Sequence, residues 1–298
     1  MGLFSINYSK PGPGVDKDAP QKKGIFRYFE IFFRKFWKLL QLNLIYVICS
    51  IPLLLIMYML APVSDSFLSR LVASSGLEAD AEELILTMQL TLRCFFAVIV
   101  LVFWGSGPAS ASYAYITRCF TREQHAWIFS DFKDKFIENF KQSIVVVIID
   151  IIVMLLAIYG IYFYFVTYKS TGSQLWLFAC CLMCTMLLVY TFMHFYIYQF
   201  MVTFSSKLSQ LYKNALIFSL AQLPYSVLLA ALALVINYIM FSFLHPMFVM
   251  LIDLILGISI MRFPMEYCAA RAIEKKLIPN APVIEYEDDN SSDSEGEE

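Results

Sequence analysis

Four ionisable residues lie inside stretches that are otherwise apolar: Arg93, Asp150, His194 and Asp253. A charged group facing lipid is costly, so such residues normally turn inward and find partners. Two chemistries fit them: a proton or ion path, or a clamp between helices. A path needs acids or histidines at successive depths, and four residues are sparse for that, so the clamp is the favoured reading. At a rise of about 1.5 Å per residue, Arg93 and Asp253 come to a similar depth and Asp150 lies nearer the inner side. An Arg93–Asp253 ion pair, with Asp150 as a further candidate member, is therefore expected, because a lone buried charge is worse than a matched pair. His194 stands among Met193, Phe195, Tyr196 and Tyr198 and reads as a hydrogen-bonded interface residue.

Other reactive types lack the company that chemistry needs. Cys181 and Cys184, beside Cys180, have the spacing of half a redox or metal site, but neither a second pair nor a nearby histidine completes it. The stretch Gly105-Ser-Gly-Pro-Ala-Ser-Ala-Ser112 is rich in small residues, and Gly105, Gly107 and Pro108 predict a hinge or close crossing at the cytoplasmic face. Ser106 or Ser110 as a nucleophile with His194 is weak, since Trp104 stands where a nucleophile loop needs glycine. With no Gly-Lys-Ser/Thr loop, no His-Glu-x-x-His helix and no paired carboxylates in a polar domain, the expectation is no enzyme, no cofactor and no metal.

The elements that must hold these residues are membrane spans. Of 298 residues, 59% are apolar and 15% charged, and the mean hydropathy is +0.66, which contradicts a soluble domain. Seven cysteines mostly within apolar runs exclude a disulfide scaffold, and basic residues bordering apolar segments exclude nucleic acid as a partner. Spans are predicted at 42–63, 84–104, 143–166, 170–206, 214–244 and a shorter one at 246–261, on the basis that roughly 20 apolar residues cross a bilayer. Nineteen of the 22 Lys and Arg fall in the N-terminal segment, the 105–142 and 204–214 loops and the C-terminal segment. Positive loops stay inside, so both termini are expected in the cytoplasm of a multi-pass cell-membrane protein. The acidic outer loop at 64–83 reads as a solvated connection. Neither a cleavable signal nor N-myristoylation is expected, since the first apolar run begins late and Ile6 occupies the position that myristoylation wants as Ser or Thr.

Residues 24–42 place Phe26, Phe29, Phe33, Phe36 and Leu40 on one helical face and Arg27, Glu30, Arg34, Lys38 and Gln41 on the other. This is the pattern of a helix lying in the headgroup plane. Similar basic-aromatic entries at Lys35-Phe36, Lys135-Phe136 and Lys207-Leu208 suggest three helical hairpins, each introduced by a cytoplasmic interfacial segment. Pro52 and Pro224 each follow their lysine by 17 residues and are compatible with broken helices. The fold class is thus an all-α, polytopic bundle of six transmembrane helices. Its parts are a Pro/Gly-rich basic segment at 1–23, the membrane domain at 24–284 and a disordered tail at 285–298 with eight acids. Contact with lipid or a partner is expected at Arg34, Lys35, Trp37, Lys38, Trp127, Lys133 and Lys135.

Several strings together resemble one family: Lys10-Pro-Gly-Pro-Gly-Val-Asp-Lys-Asp-Ala-Pro20, Arg34-Lys-Phe-Trp-Lys-Leu39, Gly107-Pro-Ala109, Ser130-Asp-Phe-Lys133 and Asn139-Phe-Lys-Gln-Ser143. They look like the YesL-like family of bacterial membrane proteins, a domain of unknown function often encoded near carbohydrate ABC importers. The resemblance implies a partner and no reaction. The expected function is a non-enzymatic accessory subunit that stabilises or regulates such an importer, with membrane lipids as the other partner. The alternative is a stand-alone small-solute permease or channel built on Arg93, Asp150, Asn237 and Asp253.

Overall fold

The computed structural model describes residues 24–74, 82–204 and 206–277, and the side chains of those outside 60–74 and 82–88. The segment 1–23, the tail 285–298 and the side chains of the outer loop lie outside the described residues. The chain forms α1 (Ile25–Arg34), α2 (Phe36–Ser74), α3 (Glu82–Ile99), α4 (Pro108–Thr121), α5 (Ile128–Glu138), α6 (Phe140–Thr171), α7 (Gln174–Thr203), α8 (Leu208–Ala221), α9 (Leu223–Phe243), α10 (Pro246–Ile252) and α11 (Ile258–Leu277). Two π-helical turns interrupt it, Val100–Trp104 after α3 and Asp253–Gly257 between α10 and α11. Among the described residues there is no strand.

Five helical runs are long and apolar enough to cross a membrane: Phe36–Met59, Phe140–Thr171, Gln174–Thr203, Leu223–Phe243 and Pro246–Leu277. A sixth follows if Gln89–Trp104 and Pro108–Thr121, which meet at 57°, form one broken span. The outward faces carry large apolar side chains open to the surroundings, among them Leu156, Tyr159, Phe178, Leu228 and Tyr238. Apolar surface on that scale belongs against lipid, and the chain is an all-α protein of multi-pass membrane type.

The centre of the bundle is α4, a short helix buried along nearly its whole length. It packs on α5, α7 and α11, while α7 also packs on α6 and α8. Its small residues, Ala109, Ser110, Ala111, Ser112 and Ala114, let the neighbouring backbones come close.

Three elements differ from the expectation. The α2 helix continues to Ser74, so the loop placed at 64–83 is helical over its first half. The last span does not stop at Met261, because the π turn carries the helix on through Leu277. Neither Pro52 nor Pro224 breaks a helix, since α2 runs unbroken through Pro52 and Pro224 sits in the first turn of α9. In the first turn a proline forfeits no intrahelical bond, and within the spans the regular ladder is interrupted at the π turns instead.

The three short helices that precede long ones share a local geometry. Helices α1, α5 and α8 each pass into the next long helix through one residue with non-helical backbone: Lys35 (φ −101, ψ 10), Asn139 (φ −94, ψ 4) and Gln222 (φ −114, ψ 19). The hydrogen-bond ladder continues across each break, as in Leu39 N to Lys35 O, Ser143 N to Asn139 O and Ser226 N to Gln222 O. By backbone geometry the repeat therefore aligns Lys35, Asn139 and Gln222, where the lysine spacing had aligned Lys35, Lys135 and Lys207. A basic residue marks a boundary with headgroups, whereas the bend needs only one residue in the bridge region, which most side chains tolerate.

Candidate functional site

The polar interior is organised by one face of α2. Asn43, Tyr46 and Ser50 are fully buried at successive turns and point at the two π turns. A π turn leaves carbonyls off the regular ladder, and a carbonyl left bare in an apolar interior is costly. The Asn43 side chain donates to the carbonyls of Asp253 (3.0 Å) and Leu254 (2.7 Å) and accepts from Ser259 N (2.8 Å). Tyr46 donates its hydroxyl to the Leu101 carbonyl at 2.8 Å. One helix thus stitches both interruptions.

Between them lies a buried cation that sequence reasoning missed. Arg262 and Glu266, four residues apart on α11, are each 3% exposed and pair at 3.1 Å. Arg262 Nη1 also donates to Tyr46 Oη (2.7 Å) and to the Leu101 carbonyl (2.8 Å). The rings of Tyr46, Tyr113 and Tyr198 surround the guanidinium at 5.1, 5.3 and 5.8 Å from their centroids. Gln199 holds the other Glu266 oxygen at 2.7 Å, and the same amide donates to the Ala114 carbonyl. Four helices and the first π turn converge on this pair. Its signal was present in sequence as an Arg-x-x-x-Glu step within a run of small and apolar residues. A span that ends at Met261 makes Arg262 a flanking charge, which hides the pair.

Gly105, Gly107 and Pro108 form a corner beside this cage. Gly105 (φ +85) and Gly107 (φ +68) take backbone conformations that side chains resist. Pro108 opens α4, Ser106 N donates to Ser110 Oγ (2.7 Å) and Ser50 donates to Ser106 Oγ (2.6 Å). All of it is buried, so the corner is closely packed inside the bundle. Ser106 and Ser110 are used in holding this turn.

Asp150 and His194 meet on facing sides of α6 and α7. His194 Nε2 lies 2.9 Å from Asp150 Oδ1, and Tyr190 donates to the same oxygen at 2.8 Å. His194 Nδ1 lies 3.1 Å from the Tyr190 carbonyl, which can only accept, so Nδ1 carries a hydrogen. Asp150 Oδ1 is thus approached from two sides, by the imidazole and by the Tyr190 phenol. Trp104, the last residue of the first π turn, stacks on the imidazole at 5.3 Å and 8° and donates to Thr191 Oγ1 at 3.0 Å.

The expected Arg93–Asp253 pair is not formed. Asp253 is 2% exposed, and neither carboxylate oxygen has a hydrogen-bond partner. The reason is depth. Tyr46 meets Leu101 while Asn43 meets Asp253, and Arg93 lies eight residues before Leu101, about 12 Å further along its helix. Counting Asp253 as the middle of a span that ends at Met261 hides this, because the helix runs on through Leu277. Asp253→Asn keeps the shape and removes an ionisable group that has no partner, so the variant is expected to match or exceed the wild type in thermal stability, by about 1 kcal/mol. A clear drop in melting temperature in the same detergent would show that the carboxylate has a counter-charge after all.

The boundary residues divide into two sets. Arg34 pairs with Glu123 at 2.7 Å, Lys38 donates to the Ala126 carbonyl at 3.4 Å, Lys35 lies over Phe120 at 5.8 Å, and Lys135 pairs with Glu138 at 2.6 Å while lying over Tyr115. These tie α1, α2 and α5 to the end of α4. Burial pushes the Lys35 pKa down, and Lys38 and Arg34 act in the same direction against Glu123. Trp37 and Trp127, 74% and 71% exposed, and Lys133 face outward. Cys181 and Cys184 are exposed free thiols, and among the described residues no three metal-ligating side chains gather.

Fold and interior together define a polytopic helical membrane protein in which, among the described residues, Asp150 and the Arg262–Glu266 pair have partners and Asp253 does not. Residues 88–161 match a family model described as "Protein of unknown function, DUF624". That is the YesL-like family, so the resemblance drawn from the strings above holds over the last two-thirds of α3, both glycines of the corner, α4, α5 and the first two-thirds of α6. No curated protein and no solved structure matches the chain.

Proposed function

We propose that this chain is a non-enzymatic accessory subunit of the cell membrane, which binds a carbohydrate ABC importer through its outward faces and stabilises or regulates it. In this reading the chain crosses six times as three hairpins, with α3 and α4 as one broken span, both termini in the cytoplasm and α1, α5 and α8 along the inner leaflet. The observation that carries it is the matching of interior charge. Arg262 is consumed by Glu266, Tyr46 and Leu101, and Asp150 by His194 and Tyr190. Charges compensated in this way supply cohesion, which leaves recognition to the surface. That surface offers aromatic and basic side chains at the start of α2 and along α5, Trp37, Trp127, Phe129 and Lys133, suited to partner helices at the headgroup level. Neighbouring importer genes in the family support the identity of the partner.

The test is purification of the tagged chain from native membranes in a mild detergent, followed by mass spectrometry. Importer permease subunits are expected in stoichiometric amount. Their absence from the tagged chain, together with the chain's absence when the importer itself is tagged, would remove this function.

A further inference from the structure

A groove of about 200 Å³ opens where α5 leans on α2, lined by Ile45, Cys49, Phe129, Phe132, Lys133 and Phe136. Ile45 and Cys49 are one turn apart on a spanning helix, and the α5 residues follow the 129, 132, 133, 136 spacing of a single helical face. The walls are therefore aliphatic, thiol and aromatic, with one charged group, the Lys133 ammonium. Among the lysines of α5 the contrast is plain: Lys135 is engaged by Glu138 and Tyr115, while Lys133 is exposed and has neither an ion-pair nor a hydrogen-bond partner among the described residues. The acids of the same helix look elsewhere. Asp131 caps the Trp127 amide and Glu138 takes Lys135, and Asp134 lies one residue round the helix from Lys133, off the face that lines the groove. Phe129, beside Trp127, is 75% exposed, so the groove continues into open apolar surface.

We propose that this groove is a binding site for one anionic phospholipid, whose phosphate meets Lys133 and whose acyl chain runs over Phe132, Phe136, Cys49 and Ile45. A short interfacial helix beside a spanning helix sets the cation at headgroup level and the apolar floor along the chain direction. That combination matches one amphiphile with a negative head, and no single wall would specify it. A zwitterionic lipid brings the same phosphate with an added cation that Lys133 repels, so the site discriminates by charge. This rests on the interfacial placement of α5 proposed above and is independent of the importer.

The test is native mass spectrometry of the full-length chain in detergent with equimolar dioleoyl phosphatidylglycerol and dioleoyl phosphatidylcholine. The wild type is expected to retain one phosphatidylglycerol with about fivefold preference, the gain of one basic residue near an anionic headgroup. Lys133→Gln, a change at an exposed position, is expected to bring the two lipids to parity. Cys49→Trp fills the floor and is expected to weaken both. Should that variant fail to fold, alkylation of Cys49 in the wild type replaces it: phosphatidylglycerol is expected to slow the reaction several-fold, while the exposed Cys181 and Cys184 react at unchanged rates. Unaltered preference in Lys133→Gln, or Cys49 alkylation indifferent to lipid, overturns the site. Detergent-solubilised protein has no sides and needs no importer, so a negative result here leaves the co-purification test standing, and the reverse.

Discussion

Removing either member of the Arg262–Glu266 pair should destabilise the protein by about 3–5 kcal/mol, because the survivor is left as an uncompensated charge in a dry interior. The two side chains are each 4% exposed, so water cannot make good the loss. Arg262 carries the larger share of the consequences: its loss also frees one of two donors from the Leu101 carbonyl and empties the space among Tyr46, Tyr113 and Tyr198. Replacing both partners is a different experiment. Arg262→Met with Glu266→Leu removes the desolvated charges together, and the double variant should be more stable than the sum of the singles predicts by about 2 kcal/mol. Denaturation of the four proteins in a mixed detergent series measures this. Strict additivity would mean that the two charges do not see one another, and the reading of this pair as mutually compensating would go with it.

Gly105→Ala should be the most damaging conservative change in the chain. A methyl group there would lie 2.2 Å from Ser110 Oγ and 3.0 Å from Arg262 Nη1. It would also force a side chain onto a backbone at φ +85, worth about 1–3 kcal/mol of strain by itself. Gly172 supplies the internal control. It closes α6 in the left-handed conformation, at φ +66, with nothing within 4 Å of an added methyl. Gly172→Ala therefore reports the conformational cost alone, and Gly105→Ala adds the collision and the lost Ser106–Ser110 bond. The loss at Gly105 is expected to be at least twice that at Gly172 by thermal unfolding. Equal losses would mean that the corner relaxes freely and that its tight packing against Arg262 has no energetic weight.

Hydropathy and charge asymmetry were enough to establish a polytopic helical membrane protein, because the length of an apolar run and the absence of charge within it are imposed by bilayer thickness, residue by residue along the chain. A break in the chain at Gly105, Gly107 and Pro108 was legible as well, since only glycine readily accepts the backbone angles found there. Partnership was another matter. Asp150 finds His194 across 44 residues, Arg262 finds Tyr46 across 216, and Asp253 finds no side chain at all. Which charges meet depends on the relative depth of helices to within one turn, and two π turns shift that depth by an extra residue each while leaving no mark in composition. The chain by itself determined what lies in lipid and which face is basic, because those are one-dimensional properties. Tertiary structure alone decided which polar groups share a proton or a charge, because a hydrogen bond tolerates only a few tenths of an ångström while a helix placed from sequence is uncertain by several.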